Sequence, residues 1–204
     1  MITAQNPDLI LLAGDMIDRQ RKTKGTEMFL AAVKDIAPTF YALGNHENKR
    51  GQLEKTIALI NSYGITLLDD NYVRIFLKGL PILIAGIGDP YMLNYHERSS
   101  MDNAFGLLGE IEDYKILIAH RPERIRLYLE YAFDLIVSGH AHGGQVRIPF
   151  ILNGLFAPDQ GWFPKYAGGQ YKHGEVSHIV SRGLSLNYLL PRVFNPPEVV
   201  CISI

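Results

Sequence analysis

The chain has 204 residues, with 20 Lys plus Arg against 21 Asp plus Glu and a formal net charge of −1. A chain this neutral has no global electrostatic footprint for nucleic acid or an anionic membrane. A hydrophobic share of 47% with 20% charged residues is ordinary globular usage and excludes disorder, collagen-like repeats and coiled coils.

In chain order, residues 8–13 (DLILLA) read as a buried strand, and residues 26–36 as a helix with Thr26 at its N-cap. Residues 39–43 form a second strand. In residues 51–63, Leu53, Ile57 and Ile60 fall at helical spacing and Gly64 makes a stop. Residues 72–77 and 80–87 flank Lys78-Gly79 as a hairpin. Residues 115–119 and 134–137 are further buried strands, with a helix around 123–132 between them. Beyond Gly139, residues 145–148 look like a strand and 154–169 are rich in Gly, Pro and aromatics. Residues 170–172 and 175–181 predict a hairpin about His173-Gly174, and 198–204 a last strand. Mixed βα units followed by strands predict an α/β sandwich, and no linker divides residues 1–204. No apolar run approaches the roughly 20 residues of a membrane span. No secretory signal is visible, and the single Cys201 forms no internal disulfide. These features together predict a cytoplasmic chain.

The informative residues sit just after the strands. The first runs into Gly14-Asp15-Met16-Ile17-Asp18, the second into Gly44-Asn45-His46-Glu47, and the later two into His120 and Gly139-His140-Ala141-His142. Ligands of open α/β sheets bind outside the carboxyl ends of the strands, so four such ends can converge Asp, Asn and His on one small volume. Each motif alone is weak, because Gly-Asp after a strand is ordinary turn chemistry. Their conjunction is not: His46, His120, His140 and His142 make four of the seven histidines. His96, His173 and His178 lack that setting and read as structural or surface residues.

Oxygen and imidazole donors without thiolate suit Mn²⁺, Fe or Zn²⁺. A carboxylate can bridge two such ions, and paired ions stabilise the attacking and leaving oxygens of a phosphoryl displacement. Cys201 lies in an apolar terminal segment and is poorly placed as a nucleophile. Neither a Gly-x-Ser-x-Gly elbow nor a Gly-x-x-x-x-Gly-Lys phosphate loop occurs.

GDMID, GNHE, the lone His120 and GHAH together resemble the calcineurin-like metallophosphoesterase family, in order and spacing, over nearly the whole chain. The resemblance implies a four-layer α/β/β/α sandwich. The tail motifs GGQVRIP, FPKYAGGQY, SRGL and FNPPE are similar to one bacterial branch. That branch contains broad phosphodiesterases and enzymes hydrolysing UDP-diacylglucosamine, often tethered to a membrane upstream. By resemblance, Asp15 bridges two divalent metals, Asn45, His120 and His140 complete the second site, and His142 belongs to the first. His46 is the general acid or phosphate-orienting group, with Asp18 holding its imidazole. Arg19 either contacts phosphate or is solvated. The attacking group is a metal-bound hydroxide.

Family members begin with a strand ending in Asp-x-His, and no Asp-x-His occurs in these 204 residues. The expectation is an N-terminally shortened chain, from a misplaced start codon, that keeps ligands for one ion. An upstream anchor would make the longer protein membrane-associated. The expected activity is hydrolysis of a phosphodiester or pyrophosphate in a small phosphorylated substrate, and a lipid-linked one is open. The alternative is a degenerate paralogue or fragment that holds one metal or a phosphorylated ligand without turnover. The apolar residues 184–190 either rest on a lipid surface or pack inside. Residues 89–98 and 154–169 are the expected pocket walls.

Overall fold

The computed structural model of the chain describes residues 1–17, 23–47, 53–91, 96–185 and 191–204. Its elements are α1 (Ile2–Gln5), β1 (Ile10–Ala13), α2 (Lys24–Val33), β2 (Thr39–Ala42), α3 (Leu53–Ser62), β3 (Thr66–Leu67), β4 (Asn71–Leu77) and β5 (Leu80–Gly86). They continue with α4 (Glu97–Phe105), β6 (Tyr114–Ile118), α5 (Ile125–Tyr128), β7 (Leu135–Ser138), β8 (Phe156–Ala157), β9 (Gly161–Trp162), β10 (Gly169–His173) and β11 (Val176–Val180).

Two sheets carry the fold. β1, β2 and β3 form a parallel sheet in that order, with Ile10 opposite Thr39 and Ala13 opposite Ala42. The second is a mixed sheet in the order β10-β11-β7-β6-β5-β4, parallel from β11 through β5. Between them Phe40, Ala42 and Leu68 meet Ile82, Ile84, Ile116, Ile118, Leu135, Val137 and Ile179 in one buried layer. The outer face of the small sheet is covered by Leu30 and Val33 of α2 and Ile60 of α3. The outer face of the large one is covered by Met101 and Phe105 of α4 and Ile125 and Tyr128 of α5. These four layers are the expected α/β/β/α sandwich. Strands buried on both faces read as continuous apolar runs, which is why DLILLA, KILIA and DLIVS were legible.

Several local expectations are corrected. α2 begins two residues before Thr26, whose hydroxyl does not cap it but donates to the Met16 carbonyl at 2.5 Å. The helix expected around 123–132 is a 3₁₀ turn, Pro122–Arg124, followed only by the four-residue α5. Residues 145–148 make two isolated bridges, Val146 with Val193 and Ile148 with Leu152, instead of a strand. Residues 198–204 are also not a strand, although their apolar run fits one. A strand needs a neighbour's backbone as well as a pattern, and no described strand pairs with this segment. The Lys78-Gly79 hairpin forms as expected, with both residues at positive φ (51° and 86°), as a type I′ turn demands. Among the described residues no helix is long and apolar enough to cross a membrane.

Candidate metal centre

β1, β2, β6 and β7 all point their carboxyl ends to one side, and an open cleft of about 480 Å³ lies there. Asp15, Asn45, His46, Tyr91, His140, His142, Pro158 and Asp159 line it. His120 closes its floor, with Nε2 3.2 Å from Asp15 Oδ2 and 3.2 Å from Asn45 Oδ1. His140 Nδ1 lies 3.1 Å from the same His120 nitrogen. Donor atoms of Asp15, His120 and His140 all fall within 4.8 Å of one another.

The glycines before Asp15 and Asn45 each have a steric reason. A Cβ on Gly44 would sit 2.4 Å from Asp15 Oδ1, and one on Gly14 (φ 81°) would sit 2.4 Å from His120 Nδ1. Only bare backbone lets the two loops and the imidazole approach so closely. Asp15, His140 and His142 themselves take positive φ (55°, 63° and 50°), a conformation costly for residues with a Cβ. Glu47 helps hold it: nearly fully buried, it accepts from the backbone N–H groups of Asp15 (3.1 Å), Ile17 (3.2 Å) and Gly44 (2.8 Å). It thereby ties the β1 and β2 loops together, and no separate signal beyond its place in GNHE marked it.

The hydrogen-bond partners determine which nitrogens are protonated. His120 Nδ1 faces the Ala13 carbonyl at 2.7 Å, which can only accept, so it carries the hydrogen. His140 Nε2 faces Asp159 Oδ2 at 2.8 Å, so it too is the N–H. In their neutral forms both rings therefore aim a lone pair inward, at His120 Nε2 and His140 Nδ1, beside Asp15 Oδ2 and Asn45 Oδ1. Four acceptors with no hydrogen between them are unfavourable unless a cation, or failing that a proton, lies among them. The titration behaviour agrees. Burial opposes the His120 imidazolium, yet the Asp15 charge raises its pKa to about 9. Burial likewise opposes ionised Asp15, but His120 and His46 hold it well below the usual carboxylate range. His140 is pushed down to about 4, first by burial and then by the His120 charge.

The remaining expected residues fall as follows. His46 is half-buried, its Nε2 3.9 Å from Asp15 Oδ2, and its backbone N–H donates to Asp15 Oδ1 at 2.8 Å. His142 lines the cleft, and its carbonyl accepts from Asn195 Nδ2 at 2.7 Å. Asp18 and Arg19, and the proposed pairing of Asp18 with His46, lie outside the described residues. Cys201 is exposed and away from the cleft. Tyr91, Pro158 and Asp159 come from the two segments expected as pocket walls.

A four-layer sandwich that gathers carboxylate, amide and imidazole acceptors at its strand ends defines a metal-dependent hydrolase. The calcineurin-like phosphoesterase family model matches residues 1–144, and the chain belongs to that family, whose members use divalent metal ions. Among curated proteins, the chain is 27% identical to the uncharacterized metallophosphoesterase YkuE of Bacillus subtilis, over the whole chain and 70% of that protein. It is 28% identical to the phosphodiesterase YaeI of Escherichia coli, over 98% of the chain and 71% of that protein. It is 30% identical to the uncharacterized metallophosphoesterase Cj0846 of Campylobacter jejuni, of which it spans 52%. Among solved structures, the sulfate thiohydrolase SoxB of Thermus thermophilus shares the fold, with a TM-score of 0.51 and 14% identity over 84% of the chain and 33% of SoxB.

Proposed function

We propose that the cleft hydrolyses phosphodiester or pyrophosphate bonds in small phosphorylated substrates. The observation that carries the reading is the convergence of Asp15 Oδ2, Asn45 Oδ1 and His140 Nδ1 around His120 Nε2, four atoms that can all ligate a cation. Those four residues would hold one divalent cation, and His142 with Asp15 would serve a second. Mn²⁺, Fe or Zn²⁺ suits the set. The cation supplies charge that lowers the pKa of water and offsets the phosphoryl oxygens. His46 stands at the edge of the cleft, exposed enough to meet a substrate, and would protonate the leaving oxygen or orient the phosphate. Arg19, close in sequence to Asp15, would add a phosphate contact, and Asp18 would orient His46. Similarity to YaeI, which is named a phosphodiesterase, favours the diester.

A second reading is retention of one cation or phosphorylated ligand without turnover. It is favoured by the geometry around His120, where the donor atoms of Asp15, His120 and His140, within 4.8 Å of one another, suffice for one ion. One experiment separates the two: elemental analysis of the manganese-loaded protein, with a generic phosphodiester assay on the same sample. Bound manganese with turnover supports hydrolysis. Bound manganese without turnover supports the binder, and no retention overturns both hydrolysis and cation binding. A lipid-linked substrate and a peripheral membrane position are part of the proposal, and turnover of such a substrate in mixed micelles tests it.

A further inference from the structure

Asp159 lies at the tip of the β8–β9 hairpin, far in sequence from every strand-end motif, and it takes a positive φ of 57°. Its carboxylate is fully engaged. Oδ2 accepts from His140 Nε2 at 2.8 Å and from Arg121 Nη1 at 2.6 Å, and Oδ1 accepts from the Tyr91 hydroxyl at 2.9 Å. Arg121 is itself fixed. Its Nε donates to Asp89 Oδ2 at 2.8 Å and its Nη2 to Asp89 Oδ1 at 3.3 Å, with both side chains almost fully buried. The guanidinium also stacks 4.2 Å from the Tyr91 ring centroid.

We infer that Asp159 is a positioning residue that sets the tautomer and ring angle of His140, so that Nδ1 presents its lone pair to the metal centre. The inference rests on the reading of that centre as a cation site. Asp89 and Arg121 form the rigid base, Asp159 is the arm, and His140 is the group it aims. The logic is general: an imidazole ligand needs its other nitrogen hydrogen-bonded, or the wrong nitrogen carries the proton and the ring turns. Asp15 cannot do this for His140, because it lies on the ligand side. Glu123, His140 and Asp159 are also close enough to be taken for a separate cation site. That place is filled by the Arg121 guanidinium, which bonds Glu123 Oε1 at 3.3 Å as well as Asp159. The three carboxylates around Arg121 thus brace a ligand and do not form a second centre.

The test has two arms. In the first, histidine-selective ¹⁵N spectra of the metal-free protein near neutral pH should show His140 protonated at Nε2 only. Protonation at Nδ1 in the wild type overturns the inference, whatever metal does. In the second, Mn²⁺ is titrated by calorimetry into wild type, D159A and D159N, with circular dichroism checking the fold. D159A should bind about 10- to 100-fold more weakly. D159N keeps a carbonyl that can accept the Nε2–H and should recover most of the loss. Unchanged affinity in a folded D159A, or equal loss in both variants, overturns the inference and leaves the cation site standing. If D159A fails to fold, D159N decides alone: near-wild-type affinity with the Nε2–H tautomer supports the inference, and loss of that tautomer with wild-type affinity overturns it. A wild type that binds no Mn²⁺ overturns the underlying reading and the inference with it.

Discussion

Two pairs of histidines, all but His173 buried, stand at opposite parts of the large sheet. His120 and His140 follow β6 and β7, with ring centroids 4.9 Å apart, while His173 and His178 share a face of β10 and β11 at 5.8 Å. The first pair is set among Asp15, Asn45 and Asp159. The second is set among the Tyr166 and Tyr171 rings, with the Ser138 hydroxyl 3.2 Å from His178 Nε2. Burial disfavours the imidazolium in both places. At His178 nothing opposes it and the pKa falls to about 3, whereas at His120 the carboxylate reverses the sign and takes it to about 9. Packing two imidazoles together therefore does not make a metal centre. The carboxylate, the accepting carbonyl behind the ring and the loops that let them approach do.

Removing the carboxylate is the largest way to break this contrast. Asp15→Ala or His140→Ala should abolish manganese retention, read by elemental analysis after desalting, because each takes a ligand from the four-acceptor cluster. Wild-type retention in either would remove that residue from the centre. His46→Ala should leave the metal bound and slow turnover roughly 100- to 10,000-fold, the usual worth of a general acid. Gly44→Ala asks whether the approach of the loops matters. Its Cβ would collide with Asp15, and a displacement on the order of 1 Å should cost about 100-fold in kcat/KM.

The smallest effect sharpens the other side of the comparison. His178 is neutral in the fold but protonates in the unfolded chain below pH about 6.5. Its depressed pKa makes the unfolded state bind more protons, so this contribution is present above that pH and fades as the pH falls toward about 3. Urea unfolding at pH 7 and pH 5 should show wild type losing up to about 1.4 kcal/mol per pH unit from this group. His178→Phe should lose correspondingly less, and equal slopes would show that His178 titrates alike in both states.

Much of the centre was legible because strand and ligand are adjacent in the chain. DLILLA-GD, TFYAL-GNHE, KILIA-H and DLIVS-GHAH each state a buried strand and then the polar residues that emerge from its end. Glu47 and Asp159 carried no such signal. Glu47 acts by accepting backbone N–H groups across two loops, and Asp159 reaches His140 from a hairpin 19 residues away. Residues 198–204 show the converse failure: a strand-like apolar run without a described partner strand forms no regular element.

The sequence by itself determined the alternation of buried strands and helices and the four strand ends that carry the polar residues, because burial patterns and turn chemistry are local properties. The four layers followed only from the family resemblance. Only the tertiary structure decided which nitrogen each histidine turns inward. That depends on what stands behind the ring, the Ala13 carbonyl for His120 and the Asp159 carboxylate for His140, and those partners are brought there by chain packing.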